Sequence, residues 1–307
     1  MDLSNNKLGR HQMNLSDCFD RKDIVRDSNF RKTMFPKSLE PLSICYAVEE
    51  LGLEVATGNP NISAIITTRQ FASHVHEPCG LVVVESPQLA YYQLHNNLVK
   101  NGLIRFGPEH FIHPTAQIAP TAVLGNPVLI SEGVTVGHRA IIGDNTAIGA
   151  GTYIGEDVVT SIRSMQNTRI NGRFFPIEYA GGVKIGSHCQ VLTGSIISKP
   201  YQAFYTEIGD DSIINLRVII GHGVKIGQGA MVAGNNLIAG NVLIGENVWI
   251  GPSVTIRDGI KIGDRAKVRI GSVVIQDVGQ DEEVSGNFAV PHKQQLRIYT
   301  RVKNGKL

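Results

Sequence analysis

From residue 108 onward, an aliphatic residue returns at every sixth position of the chain. The series begins at Ile112, breaks at residues 156–184 and 198–207, and ends at Val274. It has 23 members, and glycine directly follows 12 of them. A period of six fits neither the 3.6-residue period of an amphipathic helix nor the two-residue alternation of an ordinary strand. It is typical of a parallel β-helix, in which each repeat supplies one short strand and one turn.

The repeat length predicts the architecture of residues 108–278. Three repeats close one triangular coil, and each aliphatic residue is expected to point inward and stack on its equivalent in the next coil, about 4.8 Å away. Glycine suits the turns because its backbone tolerates positive φ and close approach. Residues 156–184 and 198–207 leave the pattern. We expect both segments to project as loops, since functional loops commonly interrupt solenoids on one face.

The residues before the repeats predict a different fold. In residues 41–107, a segment with helical spacing precedes the β-branched runs NISAIITT and GLVVVES and a second helical segment, PQLAYYQLHNNLV. This order predicts a small α/β domain. Residues 1–40 are polar, mix both charges and show little periodicity, so we expect them to be loosely ordered. Residues 279–307 are predicted to form a C-terminal tail outside the repeats.

Composition excludes several classes of protein. The net charge of +2 is too small for a nucleic-acid-binding surface. The four cysteines show no CxxC spacing and the histidines in the repeats lack the spacing of a zinc site, so no metal is expected. No apolar run reaches the roughly 18 residues needed to cross a bilayer, and the N-terminus lacks an apolar signal segment. We therefore predict a cytoplasmic protein without a membrane span.

One histidine occupies a position that suits catalysis. His222 is the third residue of the repeat that starts at Ile220, and Gly240 and Asp258 follow at intervals of 18 residues. The three are therefore expected along one edge of the β-helix. Acyl transfer from a thioester needs a base for the attacking amine or hydroxyl and an N–H donor for the oxyanion. A histidine can provide the base, and a backbone amide of the next coil, about 5 Å away, can provide the donor.

The segment INLRVIIGHGVKIG around His222 resembles the active-site segment of the UDP-3-O-acylglucosamine N-acyltransferase family of lipid A biosynthesis. The resemblance covers residues 41–291. Within it, GLVVVESPQLAYYQLHNNL resembles the family's nucleotide-sugar-binding domain, and RFFPIEYAGGVKIG resembles its mid-helix insertion. The resemblance implies a left-handed parallel β-helix, whereas parallel crossovers are generally right-handed. It also implies that His222 is the general base and that the Gly240 N–H stabilises the oxyanion.

The resemblance implies transfer of an acyl group from acyl carrier protein (acyl-ACP) or acyl-CoA to the amine of a nucleotide-linked sugar, in lipid A or surface-polysaccharide biosynthesis. It further implies a homotrimer and no permanently bound cofactor. The chain departs from the family in three respects. The family's uracil-binding segment is missing, its second histidine corresponds to Gly259, and its long C-terminal helix is reduced to HKQQLRIYTRVKNGKL. An acetyl-CoA-dependent sugar N- or O-acetyltransferase and a non-catalytic scaffold solenoid therefore stay open.

Further candidates for substrate binding lie in the first interruption and in the repeats. Arginine suits phosphate, and an aromatic ring suits the face of a base or sugar. The candidates are Arg163, Arg173, Phe174, Phe175 and Tyr179 in the interruption, and Asn215, Trp249 and Asp258 in the repeats. We expect Asn215 to orient the His222 ring and Asp258 to contact the donor or solvent. The outward Trp249 is expected to mark a subunit contact or a donor groove.

Overall fold

The N-terminal part of the chain forms a five-stranded sheet with two helices. The computed structural model describes residues 12–104, 106–166, 168–286, 289 and 291–305. The first elements are β1 (Met13–Asn14), β2 (Ile24–Arg26), β3 (Asn29–Phe30), β4 (Lys32–Thr33), β5 (Ser43–Tyr46), α1 (Glu50–Thr57), β6 (Ile62–Thr67), β7 (Gly80–Val83) and α2 (Pro87–Lys100). The strand order is β2-β7-β6-β5-β4, and all neighbours are parallel except β2 and β7.

The segment before residue 41 is more ordered than its polar composition led us to expect. Among its described residues, β2 and β4 form the two edges of the sheet, and β1 pairs with β3. Leu15 and Phe30 are fully buried against the sheet. The expectation of loose order is therefore corrected for residues 12–40. Strands of two or three residues are too short to show a detectable period, because alternation needs four or more positions.

Three parallel sheets follow, built from strands that return once in every coil. Sheet 1 contains β8 (Phe111–Ile112), β11 (Val128–Ile130), β14 (Thr146–Ile148), β19 (Gly182–Ile185), β22 (Tyr205–Ile208), β25 (Lys225–Ile226), β28 (Leu243–Ile244) and β31 (Lys261–Ile262). Sheet 2 contains β9 (Gln117–Ile118), β12 (Thr135–Val136), β15 (Tyr153–Ile154), β20 (Gln190–Val191), β23 (Ile213–Ile214), β26 (Met231–Val232), β29 (Trp249–Ile250), β32 (Lys267–Val268) and β34 (Glu283–Val284). Sheet 3 contains β10 (Val123–Leu124), β13 (Ile141–Ile142), β16 (Val159–Ile162), β21 (Ile196–Ser198), β24 (Ile219–Ile220), β27 (Leu237–Ile238), β30 (Thr255–Ile256) and β33 (Val273–Val274). The chain visits the sheets in this order in each coil, which is consistent with a left-handed β-helix.

The aliphatic residues of the repeats form the core of this region. Ile220, for example, pairs in register with Ile197 of the coil before it and Ile238 of the coil after it, and all three are fully buried. Burial of each such side chain stabilises the fold by about 1.5–3 kcal/mol. Ile112 stays partly exposed because its strand, β8, lies at the end of sheet 1.

The glycines that follow the aliphatic residues are needed for close packing between coils. A Cβ on Gly227 would lie 2.6 Å from the carbonyl carbon of Gly245, and a Cβ on Gly221 would lie 2.7 Å from the Gly240 nitrogen. Such contacts leave no room for a side chain. Positive φ occurs later in the turns, as at Asn241, where φ is 57°. Close approach, and not a left-handed backbone, therefore requires glycine directly after the aliphatic residues, whereas other glycines of the turns, such as Gly223, do have positive φ.

Both interruptions leave the repeats at the same edge, where sheet 3 is followed by sheet 1. Loop 1, residues 163–181, joins β16 to β19 and contains an antiparallel hairpin of β17 (Thr168–Ile170) and β18 (Arg173–Phe175). Loop 2, residues 199–204, joins β21 to β22. The first loop begins later than predicted because β16 continues the coil with a buried Thr160 in the inward place, hydrogen-bonded to Thr146 at 3.2 Å.

Loop 2 does not project from the repeats, contrary to our expectation. Tyr201 and Gln202 are buried between the edge and α2. The Gln202 amide donates to the Tyr91 hydroxyl at 3.3 Å, and the Tyr201 ring lies edge-on to His95 at 5.1 Å. Loop 1, in contrast, is exposed at its hairpin and at Met165. The presence of a second apolar unit beside the edge, which the repeat pattern alone does not reveal, accounts for this burial.

The C-terminal residues extend the repeats further than predicted. Strand β34 joins sheet 2 beyond residue 278 and pairs with β32. A helix, α3 (His292–Lys303), follows and carries exposed apolar side chains at Leu296, Ile298 and Val302. None of the helices in the described part of the chain is long and apolar enough to cross a membrane.

Candidate active site

His222, Gly240 and Asp258 lie in consecutive coils at the edge between sheets 3 and 1. The pairing of β24 with β27 and of β27 with β30 sets this register. His222 follows β24, Gly240 follows β27 and Asp258 follows β30. We call this the His222 edge. Both loops emerge from it in the coils before His222, so the sequence brings every long insertion of the repeats to the candidate site.

The His222 ring lies directly against Gly240 of the next coil. A Cβ built on Gly240 would be 2.5 Å from both Cε1 and Nε2 of the imidazole. Backbone hydrogen bonds hold the two coils together, because Asn241 N–H donates to the His222 carbonyl at 2.8 Å and Gly259 N–H donates to the Gly240 carbonyl at 3.0 Å. Among the described residues, no acceptor lies within hydrogen-bonding geometry of the Gly240 N–H. The edge therefore holds an imidazole in contact with a glycine whose N–H donates no hydrogen bond among the described residues.

Loop 1 supplies the hydrogen-bond partner of the imidazole. Ser164 Oγ lies 3.0 Å from Nδ1 of His222. The Tyr179 hydroxyl in turn donates to the Ser164 carbonyl oxygen, which fixes the backbone of this serine. The bond to Nδ1 orients the ring and directs Nε2 to Gly240. Ser164 was not among the residues singled out from sequence, since it lies 58 positions from His222 in a segment without a repeat.

Asn215 does not orient the imidazole, contrary to our expectation. It follows β23 at the edge between sheets 2 and 3, one sheet away from the His222 edge. Its side-chain oxygen accepts the N–H of Leu216 at 2.7 Å. The six-residue period places Asn215 and His222 in successive repeats, and successive repeats occupy different edges of the coil. The hydrogen bond that orients the His222 ring comes from Ser164 instead.

The environment of His222 favours the neutral imidazole. Burial lowers the pKa of His222 below its ordinary value, and the Asp258 carboxylate opposes this by raising the pKa to a smaller extent. A histidine with an ordinary pKa of about 6.5 is already mostly neutral at pH 7. The lowered pKa increases the neutral fraction, and only the neutral ring can accept a proton. Asp258 thus acts on His222 through its charge, and no hydrogen bond joins the two among the described contacts.

The aromatic and basic residues of loop 1 divide into two groups. Arg163 lies near the edge, with its guanidinium 3.6 Å from the Glu178 carboxylate and 5.5 Å from the centre of the Tyr179 ring. Arg173 and Phe174 are exposed on the hairpin. Phe175 turns towards Tyr92 of α2, at a ring distance of 6.2 Å. Arg163 and Tyr179 are therefore the members of the predicted set that the structure brings next to Ser164.

Helix α2 is joined to the His222 edge through both loops. The hydrogen bonds to loop 1 run from the Gln88 side chain to Thr168 Oγ1 at 2.7 Å and from the Asn96 amide to the Pro176 carbonyl at 2.7 Å. His95 is buried, and its Nε2 lies 3.0 Å from the Glu178 carbonyl. Desolvation lowers the pKa of His95 to about 4, so this ring is neutral and structural at pH 7. The loops fix the N-terminal unit beside the candidate site.

A cavity of about 360 Å³ opens where α2, loop 1 and the first coils meet. Its lining combines apolar and polar side chains, and includes Val99, Ile104, Phe106, Asp144 and Tyr179. The Tyr179 side chain connects this cavity to Ser164 and hence to His222. The cavity and the imidazole are therefore on the same edge of the coils.

Trp249 lies outside this arrangement. It belongs to β29 in sheet 2, the sheet that does not border the His222 edge, and about a third of its surface is exposed between Met231 and Lys267. A donor groove that includes both His222 and Trp249 of one chain is therefore not formed. Among the described residues, no group of three His, Cys, Asp or Glu side chains could hold a metal ion.

Two stretches of the chain match a family model described as "Bacterial transferase hexapeptide (six repeats)". They are residues 121–156 and residues 241–276. The second stretch begins directly after Gly240 and includes Asp258. The chain thus carries the hexapeptide repeats found in bacterial transferases, and these repeats form the three parallel sheets. Among curated protein sequences, no relative of the chain was found.

Solved structures of sugar acyltransferases are similar to the chain at low identity. LpxA from Acinetobacter baumannii is 22% identical, with a TM-score of 0.43, and the match covers 63% of this chain and 77% of that one. UDP-N-acetylglucosamine acyltransferase from Campylobacter jejuni is 22% identical, with a TM-score of 0.45 and coverage of 63% and 83%. A perosamine N-acetyltransferase mutant from Caulobacter crescentus, solved with CoA and GDP-perosamine, is 17% identical, with a TM-score of 0.24 and coverage of 78% and 72%.

Proposed function

We propose that this chain is a sugar N-acyltransferase that moves an acyl group from a thioester to the amine of a nucleotide-linked sugar. The observation that carries the proposal is the His222 imidazole, which lies against Gly240 of the next coil and is oriented by Ser164. These two residues in contact provide a proton acceptor and a backbone N–H, the two groups that acyl transfer requires. The hexapeptide match supports the transferase class.

The proposed reaction uses both groups in sequence. In the productive tautomer, Nδ1–H of His222 donates to Ser164 Oγ, so the lone pair of Nε2 faces the acceptor amine. As the amine nitrogen attacks the thioester carbonyl, Nε2 takes a proton from it. The carbonyl oxygen becomes an oxyanion, which the Gly240 N–H stabilises. Collapse of the intermediate breaks the carbon–sulfur bond, and the imidazolium returns the proton to the leaving thiolate.

The proposed substrates follow from the chemistry of the edge. The donor is acyl-ACP or acyl-CoA, and the acceptor sugar lies between His222 and loop 1. The cationic Arg163 and the Tyr179 ring, with Arg173 and Phe174 on the hairpin, face the phosphates and the base of the acceptor. We place the reaction in lipid A or surface-polysaccharide biosynthesis in the cytoplasm, on a left-handed β-helix.

The test is a thioester-consumption assay with a panel of nucleotide-linked amino sugars. Acyl-ACP donors of several chain lengths, acyl-CoA and acetyl-CoA are offered in parallel. Release of free thiol that depends on one of the amino sugars would support the proposal and identify the donor. Acetyl-CoA as the preferred donor would select the acetyltransferase alternative. No acceptor-dependent release with any donor would contradict an enzymatic function and favour a scaffold.

Asp258→Asn is expected to move the acidic limb of the pH–rate profile to lower pH. The neutral imidazole is the active form, so activity falls as pH decreases through the pKa of His222. The Asp258 charge raises this pKa, and its removal therefore lowers the midpoint of the limb. Glu246→Gln is the control, because Glu246 lies at the edge between sheets 1 and 2 and should leave the profile unchanged. A shift towards higher pH in Asp258→Asn would contradict the electrostatic role.

The outer face of sheet 3 supports a homotrimer. Its exposed residues include Val123, Ile141, Ile219, Leu237 and Val273, which are between 43% and 59% exposed in the single chain. Apart from the exposed Thr255, these residues form an apolar strip, which is typical of a surface that is covered by another subunit. Three such chains around one axis form a closed cyclic assembly.

Sedimentation equilibrium at micromolar concentration is expected to give three times the chain mass of 33.3 kDa. Leu237→Glu should reduce this mass, because it places a charge in the apolar face of sheet 3. The matched control is Leu243→Glu, a similarly exposed leucine on sheet 1. A monomeric mass for the unmodified chain would contradict the trimer.

A further inference from the structure

Lys199 is a buried lysine without an ionic partner. It lies at the start of loop 2 and is only 9% exposed. Lys32, another buried lysine of the described chain, is 6% exposed and has the Glu40 carboxylate 2.8 Å from its ammonium. Lys199 has no carboxylate within 4 Å among the described residues. An unpaired buried cation costs stability, so its presence calls for a ligand of opposite charge.

Charged residues of both signs act on Lys199. Burial lowers the pKa of Lys199, the Asp144 carboxylate raises it to a smaller extent, and the Arg163 guanidinium lowers it again. The Asp144 carboxylate is already engaged, because it accepts the Asn126 N–H at 2.9 Å. Among the described residues, the side-chain atoms that lack both solvent contact and a hydrogen-bond partner are Arg31 Nε and Gln202 Oε1. The Lys199 ammonium is not one of them, so it keeps some contact with solvent. A small anion could therefore bind at the Lys199 ammonium and balance its charge.

Lys199 lies one coil before His222 on the same edge. Its N–H donates to the Ile162 carbonyl at 2.9 Å, which places it beside the residue that precedes Arg163. On the other side, Thr206 Oγ1 donates to the Ser198 carbonyl at 2.7 Å and accepts the Gly223 N–H at 2.9 Å. Two hydrogen bonds thus connect the residue before Lys199 to the residue after His222. The coil spacing is about 4.8 Å.

We infer that Lys199, one coil before His222, and Arg163, two coils before it, form a binding site for a phosphate or diphosphate group of a substrate. The inference deepens the proposed function and rests on it for the identity of the substrates. In a nucleotide-linked sugar the diphosphate is bonded to the sugar ring that carries the amine. An anion at Lys199 would therefore leave that amine within one sugar ring of the imidazole. The diphosphate of CoA has the same chemistry and is the other possible source.

The test measures binding by calorimetry to the full chain, with pyrophosphate, UDP, GDP and CoA as probes. Lys199→Met keeps the length of the side chain and removes its charge. We expect binding of at least one probe to weaken about 10- to 100-fold, as is usual when a hydrogen bond to a charged group is lost. Lys225→Met is the control, because Lys225 is exposed in the neighbouring coil and pairs with Glu207 at 3.1 Å.

The pattern of losses identifies the source of the anion. Weaker binding of pyrophosphate and the nucleoside diphosphates, with CoA unaffected, assigns the site to the acceptor, and the reverse assigns it to the donor. Either result supports the site. Unchanged binding of all four probes in a folded Lys199→Met variant overturns it, as does absence of binding to the unmodified protein at millimolar concentration.

Thermal melting distinguishes a binding role of Lys199 from a structural role. Because Lys199 lacks an ionic partner, Lys199→Met should melt at the same temperature as the unmodified protein or higher. A variant that melts lower and binds every probe normally would show a structural role and overturn the inference. If Lys199→Met does not fold, Arg163→Gln replaces it, since the Arg163 side chain is mostly exposed. Unchanged binding in Arg163→Gln would then overturn the site.

The calorimetric binding measurements do not require turnover, so the anion site and the proposed function can be contradicted separately. Normal probe binding by Lys199→Met, in a protein that acylates an amino sugar, would remove only the anion site. A His222→Ala variant with unchanged turnover would remove the proposed mechanism and leave the anion-binding measurements standing.

Discussion

Replacement of His222 by alanine is expected to lower the rate of acyl transfer about 10²–10⁴-fold, the usual contribution of a general base. The melting temperature should fall by no more than a few degrees, because the half-buried imidazole lies outside the aliphatic core. The reason is geometric. Ile220 and Val224 on either side of His222 are fully buried in the aliphatic core, whereas the imidazole points out to Ser164 and Gly240.

His188→Ala is the matched control for this experiment. His188 lies at the edge between sheets 1 and 2, is exposed, and has Nδ1 3.7 Å from the Asp211 carboxylate. Its loss should leave turnover and melting unchanged. Near-normal turnover of His222→Ala in a folded protein would exclude the imidazole from the mechanism. A loss of activity that is matched by a fall in melting temperature would show a structural role instead.

Gly240→Ala is expected to lower kcat about 10²-fold or more, the cost of a displacement of about 1 Å in a catalytic group. The added methyl would lie 2.5 Å from Cε1 and Nε2 of His222, so the ring must turn away. This movement breaks the alignment with Ser164 and places the methyl where the acceptor amine should approach. The φ of Gly240 is not positive, so the backbone itself accepts alanine.

The control for Gly240→Ala is Gly234→Ala. Gly234 lies at the edge between sheets 2 and 3. A Cβ added to it would lie 3.2 Å from the Leu216 carbonyl oxygen, its nearest neighbour. This variant should keep its activity because no catalytic group is displaced. A shift in the His222 imidazole signals of the NMR spectrum in Gly240→Ala, without loss of folding, would confirm the cause. Full activity of Gly240→Ala would contradict the contact between the two residues.

The edge position of His222 could be predicted because the repeat period is long-range information. A residue at a given place in a repeat returns to the same edge after 18 residues, so the sequence alone places Gly240 and Asp258 beyond His222. The same rule explains the core, since Ile220 and Ile238 must stack if the coils pair in register. Regular backbone pairing makes these predictions reliable.

The contacts of the loops could not be predicted, because no period relates a loop to the coils. Ser164 reaches His222 only through the path of loop 1, which Tyr179 fixes from the other end. Tyr201 in loop 2 is buried because α2 covers it, and nothing in the repeat pattern places α2 there. Such contacts depend on how two separate units pack together.

The expectation that Asn215 orients the His222 ring was wrong for a simple geometric reason. Asn215 lies outside the aliphatic core, and this alone suggested that it serves the same site as His222. Its repeat places it at the edge between sheets 2 and 3, away from the His222 edge. Assignment of each residue outside the core to one of the three sheets or edges is possible from sequence, and would have separated Asn215 from His222.

The role of His222 in acyl transfer is tested most directly by measuring free thiol and acylated amine in the same reaction. The unmodified protein and His222→Ala receive one acyl thioester and the amino-sugar nucleotide that best stimulates its consumption. If His222 is the general base, the unmodified protein releases one thiol for each new amide, and both products fall together by about 10²-fold or more in His222→Ala. Thiol release that does not require the acceptor, or equal amounts of amide from the two proteins, would contradict this role.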